Sequence, residues 1–333
     1  ILDPFVGTGN FIIRIMREIA EIQKSALPHK YANELHCNEV MLLPYYIASM
    51  NIEHEYFEQT NRYEPFEGIC LVDTFEIVEE QQLSLFIPEN TARVKRQKQS
   101  PIFVVIGNPP YNAKQLNEND NNKNRKYKRR DRQGVDDRVS DTYAKDSKAT
   151  NVNKLNDPYF KAIRWATDCI GQEGIVAFVT NNSFVDDKSY DGVRKHLESD
   201  FSKLYILDLK GNVRKDSMRQ GIPLGEEHTV FGLAAMVGIS IEFFVRKKEK
   251  DATEIFYKTV DWKSTRKEKF NLIRKHETII GVDWIKIQPD EDKNWLLEDL
   301  QGDFKSFLPI GNKETKKGQD YAGEKRKISP YHA

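Results

Sequence analysis

Two kinds of segment, which differ in the spacing of their apolar residues, alternate along the first 246 residues. Short runs rich in β-branched residues are separated by stretches in which apolar side chains recur every three or four positions, as in Ile12, Ile15 and Ile19. Strands that alternate with helices predict a doubly wound, mostly parallel α/β sheet with helices on both faces. The predicted strands, seven in number, are residues 1–2, 35–38, 68–72, 102–106, 174–180, 203–209 and 239–245.

Two stretches depart from this alternation of predicted strands and helices. Residues 112–156 are dominated by Asn, Lys, Arg and Asp, which predicts a long polar insert in loop conformation. After residue 246 the apolar pattern weakens, and tryptophans lie among charged residues. We therefore expect an α/β domain over residues 1–246 and a partial C-terminal region over residues 247–333.

Composition limits the classes of protein that fit. The 51 Lys and Arg balance the 51 Asp and Glu, so a nucleic-acid surface needs local clusters of positive charge. The sequence contains no apolar run of about 20 residues and no secretory signal, so we expect a cytoplasmic protein without a membrane span. Three widely spaced cysteines argue against disulfides and a metal site. The chain starts inside a predicted strand, which leads us to expect a piece of a longer polypeptide.

A glycine-rich turn follows the first predicted strand, with the sequence Asp3-Pro4-Phe5-Val6-Gly7-Thr8-Gly9-Asn10. Gly7 and Gly9 allow positive φ angles and a close approach of the backbone to a ligand. The helix that begins near Phe11 directs its N-terminus at the same place. Such a turn occurs in nucleotide-binding proteins and also in purely structural turns.

Acidic residues follow the next two predicted strands. Glu39 is placed to accept hydrogen bonds from both hydroxyls of a ribose, and Asp73 to accept one from an adenine amine. Each is also compatible with a solvated acid or a helix N-cap. Glu34 competes with Glu39, but it precedes its strand, and ligand sites in open sheets lie after the strands.

Asn108-Pro109-Pro110-Tyr111 directly follows the fourth predicted strand. An aromatic amine is a poor nucleophile because its lone pair is delocalised into the ring. The Asn108 side-chain oxygen and the Pro109 carbonyl are suitable acceptors for both N–H bonds of such an amine. The prolines stiffen the loop, and Tyr111 offers a face on which a flipped base stacks.

These motifs together resemble the γ class of DNA methyltransferases that act on adenine N6. The resemblance implies a Rossmann-like methyltransferase sheet and the cofactor S-adenosyl-L-methionine. It implies cofactor-binding roles for Asp3, Pro4, Phe5, Gly7, Gly9, Glu39 and Asp73, and catalytic roles for Asn108, Pro109, Pro110 and Tyr111. Cytosine-C5 methylation needs a Pro-Cys nucleophile, and no cysteine of the chain follows a proline.

A narrower resemblance involves residues 117–127, 141–145, 157–159 and 164–166, which are similar to the methyltransferase region of type I-like single-polypeptide (type ISP) restriction–modification enzymes. It implies double-stranded DNA with a flipped adenine as the substrate. It also implies nuclease and helicase-like ATPase domains in the same parent polypeptide, a segment upstream that closes over the cofactor, and a recognition domain downstream. We therefore expect the present piece alone to bind cofactor poorly.

A basic cluster follows the Asn-Pro-Pro-Tyr motif, and we expect it to contact DNA phosphates: Lys123, Arg125, Lys126, Lys128, Arg129 and Arg130. The alternative is a solvated loop of mixed charge, because several aspartates follow. Lys95, Arg96 and Lys98 are interpreted as a solvated connector. The stretch 181–184 fits either a wall of the base pocket, with Phe184 as an aromatic contact, or an ordinary polar turn.

Two other functions fit the motifs. Asn-Pro-Pro-Tyr serves equally well for the planar amine of a protein glutamine or an RNA base. A non-catalytic DNA-binding scaffold is the third possibility, although the intact Gly7, Gly9 and Asn108 argue against it.

Overall fold

The computed structural model describes residues 1–76, 88–110, 126–149, 152–213, 224–232, 236–249 and 252–296. Its strands are β1 (Leu2–Asp3), β2 (His36–Glu39), β3 (Ile69–Leu71), β4 (Val104–Gly107), β5 (Gly174–Asn181), β6 (Lys203–Asp208), β7 (Ile239–Arg246), β8 (Glu254–Thr259) and β9 (Ile285–Ile287). Its α-helices are α1 (Asn10–Gln23), α2 (Leu27–Asn33), α3 (Leu42–Thr60), α4 (Pro88–Gln99), α5 (Val135–Val139), α6 (Pro158–Cys169), α7 (Ser183–Asp186), α8 (Asp191–Asp200) and α9 (Arg266–His276). Among these helices, none combines the length and apolar character needed to cross a membrane.

All the described strands belong to one sheet, in the order β3-β2-β1-β4-β5-β7-β6-β8-β9. The run from β3 to β5 is parallel throughout. β7 is antiparallel to both of its neighbours, and β9 is antiparallel to β8. The prediction of a large, mostly parallel α/β sheet is therefore confirmed.

The predicted number of seven strands is wrong, because the described residues alone form a sheet of nine. β8 pairs in parallel with β6, and β9 pairs with β8, so the sheet continues past residue 246. Charged side chains within β8 and β9 interrupt the apolar pattern by which strands are recognised in the sequence. Glu254 of β8 forms ion pairs with Lys203 (3.3 Å) and with Lys286 of β9 (2.7 Å). The division of the chain at residue 246 stays a prediction.

Apolar clusters cover both faces of the sheet. Val105 and Val176 are paired neighbours and share a face, on which they pack with the buried residues of α6. Cys37 and Ile69 are also paired, and they pack on the other face with α1 and α3. Side chains alternate between faces along a strand, so the two clusters lie on opposite sides of one layer.

The polar insert contributes to the core, unlike the loop expected from its composition. Residues 135–139 form α5, and Ser140–Ala144 continues it as a π-helix. Five apolar side chains of the described part are buried in the cluster with α6; they are Tyr127, Val135, Val139, Tyr143 and Leu155. Composition did not reveal this structure because the apolar residues are few. The buried ones face inward from helical or turn positions.

Helix α4 was not predicted. Lys95, Arg96 and Lys98, interpreted as a solvated connector, are exposed on this helix, which connects β3 to β4. Its buried face includes Val94 and Gln97. The charged residues occupy the other positions of an amphipathic helix, and they outnumber its apolar ones.

A chain of buried hydrogen bonds connects α4 to the turn after β1. The Gln97 side-chain amide donates to Asn38 Oδ1 (2.9 Å), and the Asn38 amide donates to Thr74 Oγ1 (3.2 Å). Thr74 Oγ1 in turn donates to the carbonyl oxygen of Pro4 (2.6 Å). Strand β2 and the segments that follow β1 and β3 are thereby fixed to one another.

Thr74→Val removes the central hydroxyl of this chain while keeping the side-chain volume. It leaves the Pro4 carbonyl and the Asn38 amide without partners in a buried environment, so we expect a loss of about 1–3 kcal/mol in the free energy of unfolding. Urea denaturation measures this loss. Thr60→Val is the matched control, because Thr60 bonds to the Tyr56 carbonyl at the end of α3, next to solvent. Equal losses in the two variants would contradict the role assigned to the buried chain.

Candidate functional site

Four parallel strands bring the predicted site residues to one edge of the sheet. β1 ends at Asp3, β2 at Glu39 and β4 at Gly107, and Asp73 follows β3. These strands are adjacent in the order β3-β2-β1-β4, so their carboxyl ends meet. Ligands of open α/β sheets bind at this edge.

The two glycines of the turn after β1 have different surroundings. Both have positive φ angles, +56° at Gly7 and +95° at Gly9. A Cβ atom at Gly9 would lie 3.3 Å from Cγ1 of Ile52, so Gly9 allows α3 to pack closely. A Cβ atom at Gly7 would meet no atom within 4 Å. Gly7 therefore borders open space, where its backbone is accessible to a ligand.

Glu39 is held beside this turn by backbone hydrogen bonds. Its Oε2 accepts from the Gly7 amide (3.0 Å), and its Oε1 accepts from the amides of Val40 (2.9 Å) and Met41 (2.8 Å). Burial raises the pKa of Glu39, and the three amides oppose that rise. A carboxylate has about four acceptor positions, so capacity is left for hydroxyl donors.

Glu34, the competing acid, lies elsewhere. It follows α2 and its Oε2 pairs with Lys30 Nζ at 2.6 Å. The structure therefore brings Glu39, and not Glu34, to the glycine-rich turn.

Asp3 is buried between the two motifs. Its Oδ1 accepts from the Phe5 amide (3.0 Å), and a Cβ atom at Gly107 would lie 2.8 Å from the same oxygen. Its Oδ2 makes no hydrogen bond within the described residues. Burial raises the pKa of Asp3 to about 7, and the neighbouring Glu39 carboxylate adds to the rise.

Asp73 uses both of its carboxylate oxygens. Oδ1 accepts from the Phe75 amide (3.0 Å), and Oδ2 accepts from the hydroxyl of Tyr127 (2.9 Å). Phe75 also contacts two aromatic rings, with centroid distances of 5.5 Å to Phe5 and 5.1 Å to Tyr127. Phe5, Phe75 and Tyr127 form an aromatic wall beside Asp73. Tyr127 was not predicted from the sequence to have a role at this site. It could have been recognised as an aromatic residue within a highly polar insert, where burial is the expected reason for its presence.

The Asn-Pro-Pro loop continues β4 at the same edge. The Asn108 side chain is exposed, whereas Pro109 is buried and Pro110 is half-buried. This arrangement presents a polar side chain on a proline-anchored backbone. Tyr111 lies outside the described residues.

Three residues of the basic cluster, Lys128, Arg129 and Arg130, line an open groove of about 1280 Å³ together with residues of α4 and α6. Lys128 and Arg130 are exposed there, while Arg129 pairs with Asp131 at 2.8 Å. Lys126 donates to Asn156 Oδ1 (2.9 Å). Lys123 and Arg125 lie outside the described residues.

The stretch 181–184 after β5 is a structural turn in its described contacts. Asn181 Oδ1 accepts from the Ser183 amide (2.9 Å), and the Asn182 amide donates to Asp208 (2.7 Å). Phe184 is fully buried and packs against Trp295, with ring centroids 6.0 Å apart. Phe184 is therefore a core residue and does not form an aromatic contact for a bound base.

Alanine substitutions at the two glycines should separate backbone strain from packing. Gly7→Ala places an L-residue at a left-handed φ next to open space, and we expect a cost of about 1 kcal/mol in the free energy of unfolding. Gly9→Ala adds contact with Ile52 to a less favourable φ, so we expect about 2–3 kcal/mol. Urea denaturation of both variants tests the order, which a larger loss for Gly7→Ala would overturn.

Burial of Asp3 predicts a pH dependence of stability. Its folded-state pKa of about 7 lies above the ordinary value of 3.8, so the folded state binds the proton more tightly. The stability linked to that proton is fully present below pH 4 and is lost as the pH rises through about 7. The free energy of unfolding of wild type and of Asp3→Asn should therefore be measured by denaturant at pH 5 and pH 8. Relative to the variant, wild type should be less stable at pH 8 than at pH 5. A difference that does not change with pH would contradict this account.

Comparison with known proteins assigns the family. Residues 11–213 match the model of the Eco57I restriction-modification methylase family. No protein with a curated description matches the chain at a significant level.

Three solved structures are similar over almost the whole chain. A DrdV–DNA complex is 40% identical over 97% of the chain, with a TM-score of 0.81. A nuclease-deletion mutant of the type ISP restriction-modification enzyme LlaGI, in complex with a DNA substrate mimic, is 36% identical over 91% (TM-score 0.81). The ATP-dependent type ISP enzyme LlaBIII, bound to DNA, is 34% identical over 94% (TM-score 0.82).

The chain spans only part of each of these proteins, namely 30% of the DrdV chain, 25% of the LlaGI chain and 21% of the LlaBIII chain. The similarity confirms the resemblance to type ISP restriction–modification enzymes that the motifs indicated. The chain belongs to the Eco57I restriction-modification methylase family.

Proposed function

We propose that this chain is the catalytic part of a DNA methyltransferase that transfers a methyl group from S-adenosyl-L-methionine to N6 of adenine. Membership of a restriction-modification methylase family supports DNA methylation. One observation supports the reaction at an amine, namely the position of the Asn108-Pro109 loop beside the Gly7 turn. Asp3 connects the two, because its Oδ1 bonds to the Phe5 amide and faces Gly107.

The loop after β4 suits the activation of an aromatic amine. The exposed Asn108 offers a side-chain oxygen, and the buried Pro109 holds its carbonyl in a fixed direction. An amine that donates one N–H bond to each acceptor is drawn towards tetrahedral geometry, and its lone pair is directed out of the ring. Bound S-adenosyl-L-methionine would supply the methyl group to that lone pair and would leave as neutral S-adenosylhomocysteine. One amine proton would then pass to solvent, and no covalent enzyme intermediate is needed. Tyr111 follows in the motif as the proposed stacking surface for a flipped adenine.

The residues around the Gly7 turn fit S-adenosyl-L-methionine, which supplies a methyl group on a positively charged sulfur when bound. Open space at Gly7 allows a close approach to the backbone, and Asp3 Oδ2 is a buried acceptor without a partner among the described residues. In this proposal Glu39 binds the ribose hydroxyls and Asp73 binds the adenine amine. The remaining contacts come from Pro4, Phe5 and Gly9.

The basic groove is the proposed contact for DNA phosphates. Lys128 and Arg130 are exposed on it, close in sequence to the catalytic loop. Lys123, Arg125, Lys126 and Arg129 complete the proposed set. We also propose that the parent polypeptide is a cytoplasmic restriction–modification enzyme with nuclease and helicase-like domains, since the similar proteins are DNA complexes of much longer chains.

Asn108→Ala tests the reaction in cells. We expect DNA from cells that express the full-length protein to contain N6-methyladenine, as measured by nucleoside mass spectrometry, and the variant to lose it by at least about a hundredfold. The reason is that one acceptor of the amine is removed at the reacting atom. Asn33→Ala is the matched control, because Asn33 is an exposed asparagine at the end of α2.

Equal N6-methyladenine in wild type and Asn108→Ala would refute the catalytic assignment. Absence of N6-methyladenine from the wild-type sample, with soluble protein present, would refute adenine as the substrate.

A further inference from the structure

A hydrogen bond joins the polar insert to the acid proposed to recognise the cofactor's adenine. Tyr127 lies 54 residues from Asp73 in sequence, and its hydroxyl donates to Asp73 Oδ2 at 2.9 Å. Tyr127 is only 7% exposed, so this contact is shielded from solvent. A tyrosine hydroxyl that donates to a carboxylate forms a charge-assisted hydrogen bond, which is stronger than one between neutral groups.

The backbone of Tyr127 is fixed by Asp136. The Tyr127 amide donates to Asp136 Oδ2 (2.7 Å), and the Tyr127 carbonyl accepts from the Asp136 amide (3.1 Å). Gly134 permits this approach, because a Cβ atom there would lie 2.3 Å from the Tyr127 carbonyl oxygen. The main chain around Tyr127 is therefore held at two points.

A buried cation fixes the ring of Tyr127. Lys161 Nζ lies 5.0 Å from the ring centroid and 2.8 Å from Asp136 Oδ1. The side chains of Lys161 and Asp136 are only 2% and 6% exposed. Phe75 packs against the ring from another direction, with centroids 5.1 Å apart. Tyr127 consequently has little freedom to move its hydroxyl away from Asp73.

Hydrogen bonds to both oxygens of Asp73 orient its carboxylate. Oδ1 is bound by the Phe75 amide and Oδ2 by Tyr127, so rotation about the Cβ–Cγ bond would break both contacts. Acceptor positions that remain on the carboxylate then point in fixed directions. A preorganised acceptor binds a ligand donor more tightly than one that must be ordered on binding.

We propose that Tyr127 is a positioning residue that orients Asp73 for the 6-amino group of the cofactor's adenine. This inference rests on the proposed function, because it takes Asp73 as the acceptor of that amine. In this proposal the polar insert serves cofactor recognition through Tyr127, and some of its basic residues line the groove.

Calorimetric binding of two ligands to the full-length protein tests the proposal. The first ligand is S-adenosylhomocysteine, and the second is its 6-deamino counterpart, in which hydrogen replaces the amine. Tyr127→Phe should weaken the first ligand about fivefold, because it removes one hydrogen bond that orients the acceptor. The same variant should leave the affinity for the second ligand unchanged, since that ligand has no amine to offer Asp73.

Two further variants separate positioning from folding. Tyr143→Phe removes a hydroxyl from another fully buried tyrosine of the insert, whose ring contacts Arg164 and His196, and it should bind both ligands as wild type does. In an Asp73→Asn background, Tyr127→Phe should cause no further loss for S-adenosylhomocysteine.

The proposal is overturned if Tyr127→Phe binds S-adenosylhomocysteine like wild type, or if it weakens both ligands equally. If wild type binds neither ligand, the cofactor assignment is itself refuted and this proposal with it. If wild type binds S-adenosylhomocysteine and Tyr127→Phe causes no selective loss, only the role of Tyr127 is refuted.

Discussion

Parallel pairing of β1 with β2 and β4 is the constraint on which the candidate site depends. Because parallel strands end at the same edge, the turn at Gly7 and the loop at Asn108 lie side by side although about a hundred residues separate them. Asp3 lies between the two motifs, since one carboxylate oxygen accepts from the Phe5 amide of the turn and occupies the space that a Cβ atom at Gly107 would need. A buried carboxyl with a raised pKa is unfavourable for stability, and functional sites are where such residues concentrate.

Much of the sheet, and the positions of the motif residues at one edge of it, could be predicted from the sequence. Buried parallel strands are continuous apolar runs, so β4 and β5 are visible without an alignment, and each motif begins where its strand ends. Glu39 could be preferred to Glu34 by the same rule, and the structure places Glu39 on the Gly7 amide. These predictions succeeded because they depend on local sequence and on the direction of parallel strands.

The remaining features depend on long-range contacts that no local pattern reveals. α4 is so rich in charge that its buried Gln97 cannot be told from a solvated glutamine in the sequence. β8 lies between β6 and β9, and its Glu254 pairs with Lys203 and Lys286 of these neighbouring strands. The insert was expected to be a loop because its polar residues outnumber its apolar ones. Its internal Lys161–Asp136 pair and the contact of Tyr127 with Asp73 join residues far apart in sequence. Polar networks of this kind specify a structure through geometry rather than through composition.

Transfer of an isotopically labelled methyl group is the most direct test of the central claim. Purified full-length protein would be incubated with double-stranded DNA, RNA and S-adenosylmethionine that carries a trideuterated methyl group, and the products would be digested for mass spectrometry. The account predicts the label on N6 of adenine in DNA. Label on cytosine or on RNA, with none on DNA adenine, would contradict it.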